Sequence, residues 1–255
     1  MNRDLIEKLI NIYNVNSKHS NYQKLASNFD GIIDTSCLNV FSRYEDERFS
    51  YIKKHVALKN QNILDIGGNT GYFTFESVNE GASHVDYYEG NKKHAQFVKL
   101  ACDAFGFSDL ININNDYFTF SDDLDCKKYD VIFLLNVLHH VGDDYGNVNS
   151  ISEAKKNIIK EINNLSFISK YLVFQLGFNW KGNKDYGLFD NGEKSEMIEF
   201  IKKGTKGKWS IKNIAIAEQD KRGDICYCDI SDTNIIRNDS LGEFLNRPLF
   251  VMESF

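Results

Sequence analysis

Residues 62–75 read Asn-Ile-Leu-Asp-Ile-Gly-Gly-Asn-Thr-Gly-Tyr-Phe-Thr-Phe, an apolar run that turns through a glycine cluster and resumes as an amphipathic segment. Ile63, Leu64 and Ile66 suit a strand buried on both faces, and Gly67, Gly68 and Gly71 let the chain turn sharply and bring bare backbone to a ligand. Strand, tight loop and helix start in that order make a candidate nucleotide cradle. A dinucleotide fingerprint fails here in both registers: begun at Gly67 it needs glycines at Asn69 and Tyr72, and begun at Gly68 it needs them at Thr70 and Phe73. A phosphate-binding P-loop needs a lysine after the glycines, and none follows. Asp65 adds a carboxylate at the carboxyl end of the strand, which repels pyrophosphate and favours a ligand carrying positive charge.

A nucleoside with a cationic tail meets that requirement. Residues 65–71, Asp-Ile-Gly-Gly-Asn-Thr-Gly, resemble the first motif of the class I S-adenosylmethionine-dependent methyltransferases, Asp/Glu-x-Gly-x-Gly-x-Gly. Asn69 stands where the middle glycine is commonest; Asn tolerates a left-handed backbone better than other non-glycine residues, so the turn can be kept. The resemblance implies S-adenosyl-L-methionine as cofactor, held around Asp65, Gly67, Gly68, Asn69 and Gly71.

Downstream residues extend the pattern. A strand from His84 closes on Glu89, and doubly wound folds place an acid at the end of the second strand to take both ribose hydroxyls. Residues 92–105 read as a helix and 110–114 as a third strand, followed by Asn115-Asp116-Tyr117. The resemblance implies that an acid here contacts the adenine amino group with an apolar neighbour against the ring, and Asp116 and Tyr117 match by position. Residues 129–136 form the strongest buried strand, followed by Val137-Leu138-His139-His140-Val141. This resembles the family's fourth-strand motif, whose following residues line the methyl-transfer site; Asn136 is counted with the cofactor contacts. His139 and His140 are the candidate general bases, since an imidazole titrates close to working pH. On a helix, adjacent side chains diverge by about 100°, so one should be catalytic and the other structural, and His140 is preferred.

Residues 152–167 read as a helix, 171–176 as a fifth strand, and 177–182 as an aromatic and polar loop in which Asn179 and Trp180 are candidate substrate contacts. Packing of Trp180 against the flanking helix is the competing reading. A helix over 193–203 and a strand over 209–217 follow, then an insertion over 218–242 with no strong period apart from 225–230. The final strand, 249–254, comes after Arg247-Pro248, where the residue before proline prefers extended backbone. The fold class expected is α/β: a seven-stranded, mostly parallel, Rossmann-like methyltransferase sheet with helices on both faces and an antiparallel last strand. This domain would occupy 59–255, after an N-terminal helical cap over 1–58 with helical segments at 4–13, 22–29 and 41–56. In that position a cap can cover the cofactor mouth or the substrate. Arg43 and Tyr44 are candidate substrate contacts; pairing of Arg43 and Arg48 with neighbouring carboxylates on a helix surface is the competing reading.

At 255 residues, 42% hydrophobic and 26% charged, the chain has the composition of a soluble globular protein. Its net charge of −6 and its short basic clusters, Lys202-Lys203 and Lys206-Gly207-Lys208, argue against a nucleic-acid phosphate backbone as partner and for a small-molecule acceptor. No apolar run is long enough to span a bilayer and no signal-peptide pattern is present, so the expected location is cytoplasmic. The Asn-, Lys- and Ile-rich composition points to an AT-rich bacterial genome. Cys37, Cys102, Cys126, Cys226 and Cys228 are odd in number and scattered, which suits reduced thiols. Cys226-x-Cys228 has one residue between its sulfurs and no nearby His in sequence, so no metal site is expected. Two cysteines on one face of a strand explain it as well. The expected reaction is O-methylation of a small polar acceptor, such as a sugar or surface-glycan precursor. N-methylation, RNA modification and a non-catalytic regulatory or assembly protein that binds the cofactor are the alternatives.

Overall fold

The computed structural model describes residues 3–121 and 129–255, which leaves Cys126 outside the described residues. The chain forms two compact units, Met1–Phe49 with Ala57–Phe118 and Ser50–Val56 with Thr119–Phe255.

In the first unit, helix α1 (Arg3–Tyr13) and the opening of α2 (Glu45–His55) precede β1 (Asn62–Ile66), α3 (Tyr72–Asn79), β2 (His84–Tyr88), α4 (Lys92–Phe105) and β3 (Ile111–Asn114). The strands run parallel in the order β3-β2-β1. All of β1 after Asn62 is buried, as a parallel strand covered on both faces requires. Phe29 packs on Phe75, Phe97 and Phe105 with ring centroids 5.8, 5.4 and 5.0 Å away, so the N-terminal residues share the core of this unit. Two expected helical segments are shorter than their periodicity suggests. Over 22–29 only Ser27–Phe29 forms a 3₁₀ turn. The carbonyl of Gln23 accepts the Tyr13 hydroxyl at 2.6 Å instead of a helical N–H. Over 41–56 the helix starts only at Glu45, because Glu45 accepts the Arg43 N–H and Ser42 Oγ accepts the Tyr44 N–H.

The second unit holds β4 (Tyr129–Leu135), a 3₁₀ turn (Leu138–His140), α5 (Ile151–Leu165), β5 (Ser169–Gln175), a second turn (Trp180–Gly182) and α6 (Lys194–Gly204). Then come β6 (Trp209–Gln219), β7 (Ile225–Asp229), α7 (Gly242–Leu245) and β8 (Leu249–Ser254). Strand β4 pairs parallel with β5; β8 inserts between β5 and β6, antiparallel to both; β7 lies antiparallel on β6. The antiparallel last strand is therefore present, but the described residues form eight strands of mixed direction, three in the first unit and five in the second, rather than seven. The extra strand is β7, inside the stretch read as an insertion. A tight turn specifies its hairpin: the Asp220 carboxylate accepts the N–H groups of Arg222 and Asp224 at 2.7 and 3.0 Å, and Gly223 has φ 95°. Tyr227 at its centre is buried. Among the described residues, no helix is long and apolar enough to cross a membrane.

Candidate active site

The N–H groups of Gly67 and Gly68 donate to the Tyr88 carbonyl at 2.8 and 3.2 Å, which carries the β1–β2 pairing into the glycine loop. Beyond it the chain turns through positive φ at Gly67 (71°), Asn69 (51°) and Gly71 (83°), so Asn69 holds the left-handed turn. Gly68 is required for space: a Cβ there would stand 2.5 Å from the Tyr87 ring and 2.9 Å from Asp65 Oδ2. A Cβ on Gly71 would lie 3.0 Å from both Phe75 and Val98, so this glycine sets how closely α3 and α4 approach.

The two acids of this region have different surroundings. Asp65 is 3% exposed and accepts the Thr74 hydroxyl at 2.6 Å; burial, with the charge of Glu89 adding, pushes its carboxyl up to about 7. It lies beneath the loop instead of presenting an anion at the mouth. Glu89, just past β2, keeps partial exposure and accepts the N–H groups of Asn69 and Asn91 at 2.9 and 2.7 Å. The end of β3 joins this cluster: Asn115 Nδ2 donates to the Glu89 carbonyl at 2.9 Å, and the Asp116 carboxylate accepts the Tyr117 N–H at 2.8 Å. A Cβ on Gly90 would stand 2.4 Å from the Tyr117 ring, so the half-exposed tyrosine rests on glycine backbone beside Glu89. Asn69, Glu89, Asp116 and Tyr117 are thus gathered where the loops after three adjacent strands meet.

An N-terminal strap over 17–23, without any motif of its own, closes on the same loops. Buried Gln23 accepts the Thr70 hydroxyl at 3.2 Å and the Tyr72 N–H at 2.9 Å. Asn69 Nδ2 donates to the His19 carbonyl at 3.0 Å, and Asn91 Nδ2 to Ser17 Oγ at 2.9 Å and the Lys18 carbonyl at 3.0 Å. The Arg43 guanidinium stands 4.9 Å over the Tyr22 ring, and Tyr44 takes a left-handed turn with φ 57°. Arg48 is buried and lies 3.5 Å from the fully buried Glu45, so it pairs with a neighbouring carboxylate, but in the interior rather than on a helix surface.

In the second unit Asn136 follows β4 with φ 63°. Its Nδ2 donates to Gln175 Oε1 at 2.9 Å and its Oδ1 accepts from Arg247 Nη1 at 2.8 Å, so its side chain is held on both ends. Arg247 also pairs with Glu243, which accepts the Phe178 N–H at 3.0 Å. Burial acts to raise the Glu243 carboxyl, but the Arg247 charge and hydrogen bonds outweigh it and hold the group below the usual carboxylate range.

The histidines differ sharply in burial. His139 is 3% exposed, its Nδ1 accepts the Gly177 N–H at 3.3 Å, and a Cβ on Gly177 would stand 2.7 Å from its ring. The His140 side chain is 15% exposed, with Nδ1 3.5 Å from Asp144 Oδ2. The pair sits in a 3₁₀ turn rather than on an α-helix, and the two rings pack with centroids 4.2 Å apart. Trp180 is buried and its indole N–H donates to the Val141 carbonyl at 2.7 Å, while the next residue, Lys181, sits at φ 58° with Nζ 4.3 Å from the indole. Asn179 is half-buried and bridges to Gly187. Behind the turn, the Tyr145 hydroxyl stands 3.0 Å from the Glu161 carboxylate, which burial pushes up to about 7. Asp144 was not singled out in the sequence, although its four-residue spacing from His140 was a signal.

No protein-family model matches the sequence, and no curated protein matches it. Solved structures do. Magnesium protoporphyrin IX methyltransferase (ChlM) from Synechocystis PCC 6803, with bound SAM, aligns at TM-score 0.50 and 13% identity over 82% of this chain and 77% of that one. A Listeria monocytogenes protein provisionally described as an S-adenosylmethionine-dependent methyltransferase aligns at TM-score 0.50 and 12% identity over 83% and 98%. The fold is that of the S-adenosylmethionine-dependent methyltransferases. WbdD aligns at TM-score 0.56 and 12% identity over 97% of this chain, which spans 46% of WbdD. At these identities the likeness to the methyltransferases concerns the fold.

Proposed function

We propose that this chain is an S-adenosylmethionine-dependent methyltransferase that methylates a hydroxyl oxygen of a small polar acceptor, such as a sugar or surface-glycan precursor. The observation that carries the reading is the cluster of Asn69, Glu89, Asp116 and Tyr117 at the ends of three parallel strands on a methyltransferase fold, the place where such sheets bind ligands. The residues fit an adenosyl group. Each Glu89 oxygen accepts one backbone N–H and keeps a second lone pair for a ribose hydroxyl. The Tyr117 ring, seated on Gly90, offers an aromatic surface beside that carboxylate, and Asp116 is exposed for an amino group. When bound, the cofactor supplies an electrophilic methyl group on a sulfonium centre.

His140 is the proposed base. Asp144 stands next to Nδ1, where it favours the tautomer protonated there and assigns Nε2 to take the acceptor hydroxyl proton. The 3.5 Å separation is long for a hydrogen bond, as is common before substrate binds. His139, closed in by Gly177, is assigned the structural role. Calorimetric titration should show binding of S-adenosylmethionine and S-adenosylhomocysteine and none of nicotinamide dinucleotides; the opposite pattern overturns the reading. Incubating cell extracts with the protein and methyl-labelled cofactor should then reveal the acceptor by mass spectrometry as a labelled small molecule.

A further inference from the structure

Strand β7 carries a feature that methyl transfer does not use. Residues two apart on a strand point to the same side, and Cys226 and Cys228 do so with their sulfurs 3.5 Å apart. Tyr227 between them faces the opposite way and is buried. Strand β7 pairs with β6 on one side, Glu218 opposite Cys226 and Ile216 opposite Cys228. Cys226 is exposed and Cys228 half-buried. The second half of α2 backs the pair: Tyr51 donates its hydroxyl to Asp229, and Lys54 places its charge near Cys228.

We propose that Cys226 and Cys228 form a reversible redox site that closes to an intrastrand disulfide under a peroxide oxidant. Exposed Cys226 is the sulfur that meets the oxidant. Its thiolate attacks one peroxide oxygen, the O–O bond breaks, and sulfenic acid and hydroxide form. Cys228 then attacks the sulfenic sulfur, the S–O bond breaks and water leaves; in total two thiols and one hydrogen peroxide give one disulfide and two waters. Burial, with the contact from Cys226 adding, pushes the Cys228 thiol up to about 11, which suits it to the second, resolving step rather than the first. Two strand steps of about 3.3 Å separate the Cα atoms by about 6.6 Å, near the upper end of the span a disulfide bridges without backbone movement. The bond can therefore close on the folded strand under some strain, and strained, exposed disulfides are the readily reduced kind.

The test treats the reduced full-length chain with hydrogen peroxide, blocks remaining thiols with N-ethylmaleimide and maps the tryptic peptides. Peptide 223–237 should lose two hydrogens and take no maleimide, should recover both thiols on reduction, and no disulfide should link it to a second chain. Cys228→Ser should leave Cys226 as a sulfenic acid trapped by dimedone, and Cys226→Ser should leave Cys228 unlabelled under the same exposure. A peptide 223–237 that keeps both thiols while Cys37 is oxidised overturns the proposal, as does a disulfide formed only between chains.

Discussion

The glycine loop of the first unit and the histidine turn of the second both leave a parallel strand through left-handed backbone, at Gly67 and Asn69 in one and at Asn136 in the other. They use it differently. In the loop, residue type follows from local geometry: Gly68 has no room for a Cβ, and Asn69 and Gly71 meet positive φ that other residues resist. In the turn, residue type follows from distant partners. Asn136 is fixed by Gln175 and Arg247, His139 by Gly177, and Tyr145 by Glu161. A backbone-shaped site is legible from a short motif, whereas a side-chain-shaped site depends on contacts a motif does not contain.

The contrast breaks most visibly at the histidines. Replacing His140 with Ala should lower turnover by about two to four decades, the scale of general-base catalysis, with cofactor affinity nearly constant. His139→Ala should instead lower the melting temperature, since it empties a buried site against Gly177. Steady-state rates, cofactor titration and thermal melts on both variants decide it; near-normal turnover in both removes the pair from the chemistry.

At Glu89 the loop's dependence on a single side chain can be measured. Glu89→Ala removes the acceptor of two backbone N–H groups and of the proposed ribose hydroxyls, so cofactor affinity should fall by about 1.5–3 kcal/mol, the range for hydrogen bonds to a charged group. An unchanged dissociation constant in a folded variant would take Glu89 out of the site.

Gly68→Ala tests the claim that space dictates the loop. Its methyl would press on the Tyr87 ring, and overpacking of this kind costs about 1–3 kcal/mol of stability, readable in a denaturant titration. Wild-type stability would show that Tyr87 yields and that the glycine serves another purpose.

The last effect is a slope rather than a step. The Asp65 carboxyl is raised from an ordinary 3.8 to about 7, so between those values the folded chain holds a proton that the unfolded chain has released. Stability contributed by this group is complete below about 4 and is lost as pH rises through about 7. Melts of the cofactor-free protein across that window should decline with pH, and Asp65→Asn should flatten part of the decline. A parallel decline in both proteins would mean that Asp65 is not the group responsible.

The antiparallel final strand was implied by the family resemblance, since its partners β5 and β6 lie far away along the chain, whereas the sequence by itself determined the order of strand, glycine loop and helix at residues 62–79 and the acids after β2 and β3. These depend on apolar runs and residue types whose partners lie close along the chain. Tertiary structure decided the rest. Asp65 and Glu89 are both acids at strand ends, but only packing against Thr74 buries the first while the second stays partly exposed at the loop. Residues 22–29 carry a helical period, yet the hydrogen bonds of Gln23 go to Tyr13, Thr70 and Tyr72. Strand β7 depends on the Asp220 turn and on pairing with β6 more than on its own short alternation. His139 and His140 are the same residue side by side, and it is Gly177, 38 positions away along the chain, that closes over one of them. Period and residue type are local properties, whereas burial and hydrogen-bond partnership belong to whatever the fold brings alongside.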